Sequence, residues 1–216
     1  MIKACIFDCD GTLLDTLESI GSSANDALVC LGYPEIPLED YRTMVGDGVE
    51  MLMRRCLKRV GDEECARYEE LTENYRRIFK EGCTRNVHPY DGIPKLLAEL
   101  KTKGILTAVL SNKPHEETKK VITGAFGENT FSAILGARPD YQRKPAPDGA
   151  LLLAEELQVK PEEVLYIGDT NTDMMTGNAA GMHTVGVLWG FRGREELEKN
   201  HAEHIVAAPE QIAALI

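Results

Sequence analysis

Short apolar runs recur along most of the chain, and each one ends in glycine or polar residues. Runs of this kind, stopped by turn-forming residues, predict buried β-strands. They occupy residues 4–7, 106–110, 133–135, 164–167 and 184–188. Between them, residues 93–103 and 150–157 place apolar side chains at helical spacing. This alternation of strands and helices predicts an α/β fold with a doubly wound parallel sheet.

The stretch from residue 17 to residue 86 has a different pattern, in which no strand candidate occurs. Three segments of it are amphipathic, with apolar side chains along one helix face. Those faces consist of Ile20, Ala24, Ala27, Leu28 and Leu31; of Val49, Leu52, Met53, Cys56, Leu57 and Val60; and of Tyr68, Leu71, Tyr75, Ile78 and Phe79. We therefore expect a helical insert at residues 17–86, within a core formed by residues 1–16 and 87–216.

Composition and charge narrow the class of partner. Hydrophobic residues make up 43% of the chain and charged residues 27%, with a formal net charge of −11. An acidic chain is a poor candidate for nucleic-acid binding, because proteins that bind the phosphate backbone present a basic surface. An acidic enzyme that binds an anionic substrate instead needs local positive charge, from a metal ion or from a few lysines and arginines.

The spacing of the cysteines and the length of the apolar runs indicate where in the cell the protein is found. The six cysteines form no CxxC pair and no zinc-type spacing, which predicts reduced thiols. The N-terminal segment lacks the apolar region of a signal peptide, and no apolar run approaches the ~20 residues that span a bilayer. We expect a cytoplasmic protein without a membrane or nucleic-acid partner, either a monomer or a homodimer.

Two carboxylates follow the first predicted strand. Asp8 and Asp10 flank Cys9, so in an extended backbone their side chains point to the same side. An isolated Asp-x-Asp pair is more often a pair of solvated loop acids. The longer string DCDGTLLDT is more specific, because Gly11 permits a tight turn and Thr12 adds a hydroxyl.

Further polar residues follow the later strands. Ser111 in LSNKP stands before a predicted helix, where a hydroxyl and free N–H groups suit a phosphate. Lys144 in RKPAP precedes two prolines, which stiffen the chain and hold the lysine in an extended conformation. Asp169 and Asp173 in GDTNTD offer the hard oxygen ligands that Mg²⁺ prefers. Each alone has an ordinary explanation, such as a helix cap or a surface lysine. Together, at the carboxyl ends of predicted parallel strands, they indicate an active site.

The motifs DCDGTLLDT, LSNKP, RKPAP and GDTNTD resemble the four motifs of the haloacid dehalogenase-like hydrolase superfamily, and the resemblance spans nearly the whole chain. It implies a Rossmann-like core with an inserted α-helical cap domain, in agreement with the insert at residues 17–86. It also implies a Mg²⁺-dependent phosphatase that acts on small phosphorylated metabolites through an aspartyl-phosphate.

The resemblance implies a role for each motif residue. Asp8 would be the nucleophile, and Asp10 the general acid and base. The phosphoryl group would be held by Thr12, Ser111, Asn112 and Lys144. The metal would be bound by Asp8, Asp169 and the backbone carbonyl of Asp10, with Asp173 in support. These roles agree with elementary electrostatics, because a carboxylate can attack an anionic phosphoryl group only where the charge is neutralised.

The predicted cap carries a second resemblance. Its segment VGDGVEMLMRR resembles the cap segment of phosphoglycolate phosphatases, with Gly46, Gly48 and Arg55 on the matching positions, and WGFR at residues 189–192 also resembles that group. The glycines would let the backbone approach a small substrate, and Arg55 would meet a carboxylate. The alternatives are an ordinary turn between helices and a surface arginine.

The expected function is therefore hydrolysis of a short anionic phosphoester, with phosphoglycolate as the leading substrate and the cap closing over the site. Within the superfamily, a phosphotransferase similar to β-phosphoglucomutase is the alternative, with β-glucose 1-phosphate as its substrate. An alternative of another class is a non-catalytic binding module of the same fold. Loss of Asp8 or Asp10 would have indicated such a module, and both residues are present.

Overall fold

Strands and helices alternate along the chain in a computed structural model that describes all 216 residues. The strands are β1 (Ala4–Phe7), β2 (Leu14–Asp15), β3 (His88–Pro89), β4 (Leu106–Pro114), β5 (Ala133–Ala137), β6 (Val164–Gly168), β7 (His183–Val187) and β8 (His204–Val206). The helices are α1 (Leu17–Cys30), α2 (Val49–Arg59), α3 (Tyr68–Gly82), α4 (Ile93–Thr102), α5 (His115–Phe126), α6 (Asp148–Glu156), α7 (Asn171–Ala179), α8 (Arg194–Lys199) and α9 (Glu210–Ala213). None of these helices has both the length and the apolar character that crossing a membrane requires.

The chain divides into two compact units. One, the core unit, consists of Met1–Asp15 and His88–Ile216, and the other, the helical unit, consists of Thr16–Val87. The core unit contains every strand, and the helical unit contains α1, α2 and α3.

The core unit is built on a six-stranded sheet with the order β5-β4-β1-β6-β7-β8. All its neighbouring strands run parallel, as the alternation of strands and helices predicts. The central strand β1 is apolar throughout and fully buried, because β4 and β6 flank it on both sides. The predicted α/β fold with a doubly wound parallel sheet is confirmed.

The strand order brings three strand ends to one edge of the sheet. Phe7, the last residue of β1, lies opposite Val109 of β4 and Ile167 of β6. From β1 the chain extends the sheet through β4 and β5 on one side, and later through β6, β7 and β8 on the other. Ligands of such sheets bind beyond the carboxyl ends of the strands, at the point where the strand order reverses. The residues that follow β1 and β6 and those that end β4 are therefore placed to form a site.

Strand β4 is longer than its apolar run predicts. It continues past residue 110 to Pro114, with an irregularity in its pairing with β5 between Leu110 and Pro114. The polar segment Ser111–Asn112–Lys113 consequently belongs to the strand rather than to a loop. Its three side chains are buried at the edge of the sheet where β1 and β6 also end.

A buried apolar cluster on one face of the sheet holds α6 in place. Ile6, Leu110 and Tyr166 from the central strands pack there with Leu153 and Leu157 of α6 and its end. Truncation of a leucine in such a core costs about 2 to 5 kcal/mol. Because the segment that carries Lys144 immediately precedes α6, this packing also fixes the position of that lysine.

The helical unit is held by its apolar helix faces and by one polar side chain. The predicted faces of α1, α2 and α3 supply buried residues that include Leu28, Leu57 and Leu71. Within α1, the buried Asn25 donates to the Ile36 carbonyl at 2.8 Å and accepts from the Tyr41 hydroxyl at 2.8 Å. These bonds fasten the connection between α1 and α2, in which a short 3₁₀ helix spans Leu38–Thr43.

Candidate active site

Three buried carboxylates converge at the carboxyl edge of the central strands. Asp8 follows β1, Asp169 follows β6, and Asp173 lies in the first turn of α7. One oxygen from each lies within 4.8 Å of the others, and all three residues are buried. The first acid of DCDGTLLDT and both acids of GDTNTD thus meet in one place.

Lys144 lies between two of these acids. Its ammonium is 2.8 Å from Asp8 Oδ1 and 2.7 Å from Asp173 Oδ1, and it donates to the Leu110 carbonyl at 3.3 Å. Asn112 Nδ2 donates to the Lys144 carbonyl at 3.0 Å, so the polar end of β4 fastens the segment that carries the lysine. The lysine can therefore present a fixed positive charge beside Asp8.

Both carboxylate oxygens of Asp173 accept hydrogen bonds from neighbouring residues. While its Oδ1 meets Lys144, its Oδ2 accepts from the backbone N–H of Thr170 at 3.1 Å and from the Thr170 hydroxyl at 2.7 Å. A side chain at Gly168 would collide with the Asp173 carboxyl group. This arrangement makes Asp173 the partner that orients Lys144 and caps α7.

Asp169 is enclosed by hydrogen bonds and glycines. Thr12 Oγ1 donates to Asp169 Oδ1 at 3.0 Å, and the backbone N–H of Phe191 donates to Oδ2 at 2.7 Å. A Cβ at Gly11, whose φ is +86°, or at Gly190 would collide with Asp169. Two hydrogen bonds and the close approach of two glycines therefore hold this side chain in place.

Asp10 has a lysine of its own. Its Oδ1 lies 2.8 Å from the ammonium of Lys113, whose side chain is only 3% exposed, whereas the Asp10 side chain is 15% exposed. The backbone N–H of Lys113 donates to Ser111 Oγ at 3.1 Å. The sequence interpretation did not include Lys113, although its position two residues after Ser111 in an extended segment was a usable signal.

The crowding of acids shifts several pKa values. Burial raises the pKa of Asp8 well above its ordinary value; the nearby Asp173 and Asp169 charges raise it further, and Lys144 opposes them. Burial and Asp173 raise the pKa of Asp169 to about 7. Burial alone would lower the pKa of Lys144, but Asp173 and Asp8 raise it well above its ordinary value. The surroundings of Asp8 and Asp169 therefore disfavour the charged form of both acids.

These groups fit a hard divalent cation. Asp8 and Asp169 supply carboxylate oxygens close together, and oxygen is the ligand type that Mg²⁺ and Ca²⁺ prefer. Burial is the largest cause of the raised pKa of both acids, and the nearby Asp173 charge adds to it. A dication here would lower the cost of keeping both carboxylates ionised.

The predicted site residues fall into two groups. One group lies at the strand ends of the core unit and comprises Asp8, Asp10, Thr12, Ser111, Asn112, Lys144, Asp169 and Asp173. The other lies in the helical unit. There Gly46 and Gly48 have φ values of +111° and +85°, which favour glycine. Arg55 donates to the Asp47 carboxylate and, at 2.8 Å, to the Met44 carbonyl.

Two further contributors to the site were not predicted. Thr170 binds Asp173 through both its N–H and its hydroxyl, and the N–H of Phe191 binds Asp169. Thr170 forms a capping box with Asp173, which the spacing of Thr and an acid three residues later at a helix start could have indicated. A backbone donor such as that of Phe191 leaves no mark in residue type, so only the fold reveals it.

Known proteins support the resemblance of the motifs. The family model for haloacid dehalogenase-like hydrolases matches residues 5–187. The phosphoglycolate phosphatase of Aquifex aeolicus is 34% identical over 190 residues, which cover 88% of this chain and 86% of that protein. The phosphoglycolate phosphatase of Haemophilus influenzae strain Rd is 32% identical over 191 residues, covering 86% of this chain and 85% of that one.

Solved structures share the whole architecture. A Lactobacillus delbrueckii subsp. bulgaricus protein, provisionally named a phosphoglycolate phosphatase, superposes with a TM-score of 0.91 at 30% identity, covering 99% of this chain and 98% of its own. CbbY from Rhodobacter sphaeroides, solved in complex with phosphate, has a TM-score of 0.81 at 25% identity, with coverages of 98% and 96%. Motifs, site geometry and relatives agree, and the chain belongs to the haloacid dehalogenase-like hydrolase family, as one of its phosphatases.

Proposed function

We propose that this enzyme hydrolyses small phosphate monoesters in two steps through an aspartyl-phosphate on Asp8, with phosphoglycolate as its leading substrate. The observation that carries the proposal is the pairing of Asp8 with Lys144, 2.8 Å apart in a buried cluster of acids. A carboxylate held at the ligand edge beside a fixed ammonium can attack a phosphoryl group whose charge that ammonium offsets.

In the first step, an Asp8 oxygen forms a bond to phosphorus as the bond from phosphorus to the ester oxygen breaks. Asp10 donates a proton to the departing oxygen. In the second step, Asp10 accepts a proton from a water molecule whose oxygen attacks the same phosphorus, and the bond from phosphorus to Asp8 breaks. The products are the alcohol and inorganic phosphate, and both aspartates return to their starting state.

We assign the metal site to Asp8, Asp169 and the backbone carbonyl of Asp10, and we expect Mg²⁺ there. The bound ion supplies the positive charge that a nucleophilic carboxylate and a phosphate dianion together require. Asp173 contributes by orienting Lys144, since both of its oxygens are engaged with Lys144 and Thr170.

We assign contact with the phosphoryl group to Lys144 and Ser111. For Thr12 and Asn112, which the motifs predict as phosphate ligands, the bonds within the protein favour supporting roles. Thr12 holds Asp169, and Asn112 holds the segment of Lys144. Loss of either hydrogen bond would reach the phosphoryl group through the residue that it supports.

We further propose that the helical unit acts as the cap, residues about 17–86, and supplies the preference among substrates. The residues of the core site recognise the phosphoryl end, which all monoesters share, so discrimination between leaving groups has to come from elsewhere. Gly46 and Gly48 are the candidates for contact with a small substrate. Arg55 would act by holding their loop, because it binds Asp47 and Met44 on either side of Gly46.

The six free cysteines favour a reducing compartment, and a cytoplasmic location is part of the proposal. The mutase alternative has no separate support in the site, since its chemistry would begin with the same groups. A non-catalytic role would leave the buried acids and lysines without use, although burying such charges is costly.

The test is an activity panel on the purified chain, stripped of metal and then supplied with Mg²⁺. The substrates are phosphoglycolate, β-glucose 1-phosphate and p-nitrophenyl phosphate, and Asp8→Asn is the control for contaminating phosphatases. Mg²⁺-dependent release of phosphate, fastest from phosphoglycolate, is the expected result. Conversion of β-glucose 1-phosphate to glucose 6-phosphate would indicate the mutase, and no release from any ester would refute the proposal.

A further inference from the structure

A second buried lysine stands in the site, and the reaction above gives it no role. Lys113 is 3% exposed at the end of β4, although lysine is among the residues least often buried. Burial of an ammonium is tolerated only where a nearby acid compensates for its lost hydration. Its ion-pair partner in the site is Asp10, at 2.8 Å from Nζ to Oδ1.

The backbone around Lys113 is fastened on both sides. Its N–H donates to Ser111 Oγ at 3.1 Å, and its carbonyl accepts from Thr118 Oγ1 of α5 at 3.1 Å. A side chain at Gly136 of β5 would collide with that carbonyl. The ammonium therefore projects from a rigid support toward Asp10.

The two lysines of the site contact different acids. Lys144 contacts Asp8 and Asp173, whereas Lys113 contacts Asp10. Asp10 is also the most exposed of the four acids, as suits a group that must reach the departing oxygen of each substrate. Without a partner, a carboxylate with this freedom could adopt several rotamers, and only some would direct its oxygen at the ester bond.

We propose that Lys113 is a positioning residue that holds Asp10 where it can protonate the leaving group. The inference rests on the proposed function. During the reaction, the ammonium of Lys113 keeps its proton. As Asp8 bonds to phosphorus and the ester bond breaks, the one proton that moves passes from Asp10 to the departing oxygen. Lys113 thus acts through Asp10 and makes no contact with the substrate.

The test compares leaving groups that differ in their need for a proton. Lys113→Met is assayed by kcat/KM, which reports the steps up to departure of the leaving group. Its kcat/KM should fall by about 30-fold for phosphoglycolate, less than the ~10²–10⁴-fold that a general acid supplies because Asp10 itself is still present, and by less than ~3-fold for p-nitrophenyl phosphate. Lys119→Met, at an exposed position of α5, is the matched control and should match the wild type.

A substrate whose alcohol part is uncharged separates positioning from recognition of the carboxylate. Ethylene glycol monophosphate has a hydroxymethyl group in place of the carboxylate of phosphoglycolate and an equally poor leaving group. The proposal requires losses of similar size for these two esters. A loss confined to phosphoglycolate would show that Lys113 binds the carboxylate of the substrate and would overturn the proposal.

A double-mutant cycle with Asp10→Asn tests whether Lys113 acts through Asp10. In that background Lys113→Met should cost less than ~2-fold further for phosphoglycolate, because residues that act as a unit are not additive. Multiplying losses would overturn the proposal, as would equal losses for all three esters in the otherwise wild-type protein. Inactive wild-type protein would refute the proposed function itself.

If Lys113→Met does not fold, as judged by its melting transition, Lys113→Arg gives the same test. The guanidinium keeps the charge but differs in shape and reach. We expect a smaller loss, about 5-fold for both alkyl esters, and none for p-nitrophenyl phosphate. Losses that do not depend on the leaving group would overturn the proposal here as well.

Discussion

The ion pairs of Lys144 in the core site are buried, whereas the ion pair beside the loop of Gly46 and Gly48 is partly exposed to solvent. In the core site, the side chains of Lys144 and Asp173 are nearly inaccessible, and their ion pair joins two segments that are far apart in the chain. In the helical unit, the side chains of Arg55 and Asp47 are each 31% exposed, and their pair closes one local loop. Breaking a buried pair costs about 3–5 kcal/mol, whereas exposed pairs contribute about 0–1 kcal/mol.

This difference fits the two tasks that we propose for these regions. Groups that act on the phosphoryl end must be fixed and shielded, because their charges act strongly only where water is excluded. Groups that choose a substrate can be weaker and closer to solvent, since discrimination requires only a difference in affinity. Substitutions in the two regions should therefore differ in size and in dependence on the substrate.

The largest effect is expected for Asp8→Asn, which keeps the shape of the side chain but removes the nucleophile. Turnover of every ester should fall by at least ~10⁴-fold, as for the loss of other covalent nucleophiles. Release of phosphate is the measurement, and a melting transition near that of the wild type shows that the variant folds. Steady-state activity within ~100-fold of the wild type would contradict the assignment.

A smaller effect is expected for Asp169→Asn, which keeps one oxygen but removes the charge. The Mg²⁺ concentration for half-maximal activity should rise at least ~10-fold, since the charge of ligands sets the affinity for hard cations. Calorimetric titration with Mg²⁺ measures the same loss without turnover. Ca²⁺ should support little activity, because its larger and looser coordination does not hold the reacting groups in line. Unchanged affinity for Mg²⁺ would remove Asp169 from the metal site.

The smallest effect is expected for Arg55→Ala in the helical unit. Loss of its two bonds should lower kcat/KM for phosphoglycolate by about 10-fold, the equivalent of ~1.4 kcal/mol. The value for p-nitrophenyl phosphate should stay within ~2-fold. Arg54→Ala is the matched control, since Arg54 is also on α2 and pairs with Glu50. Equal losses on both substrates would mean that Arg55 supports the helical unit and has no part in selectivity.

The sequence predicted the sheet well, and the acidic motifs lie where its central strands end. The apolar run before Asp8 is β1 itself, and GDTNTD follows β6 directly, because a buried strand between polar turns has a strong hydrophobic signature. The short strands β2 and β3 were missed, because a strand of two residues has no hydrophobic periodicity. The extension of β4 through Ser111–Lys113 was missed because its buried residues are polar.

The sequence could not predict which side chains pair with each other. An acid at position 173 satisfies the motif whether it binds a metal or orients a lysine, and only the bonds to Lys144 and Thr170 favour the second role. Residue type alone does not distinguish Lys113 from a surface lysine, because its place in the site depends on the extension of β4. The glycines at 46 and 48 were consistent with a turn or with substrate contact, and their positive φ values do not distinguish the two.

The short ribbon of β2 and β3 has a consequence for how such enzymes diversify. Leu14 lies opposite Pro89 and Asp15 opposite His88, so the chain leaves the core unit and returns to it about 5 Å apart. A segment with adjoining ends can be lengthened, shortened or exchanged without altering the path of the sheet. If the helical unit selects the substrate, as we propose, exchange of this one module would change the substrate and leave the carboxyl edge of the sheet intact.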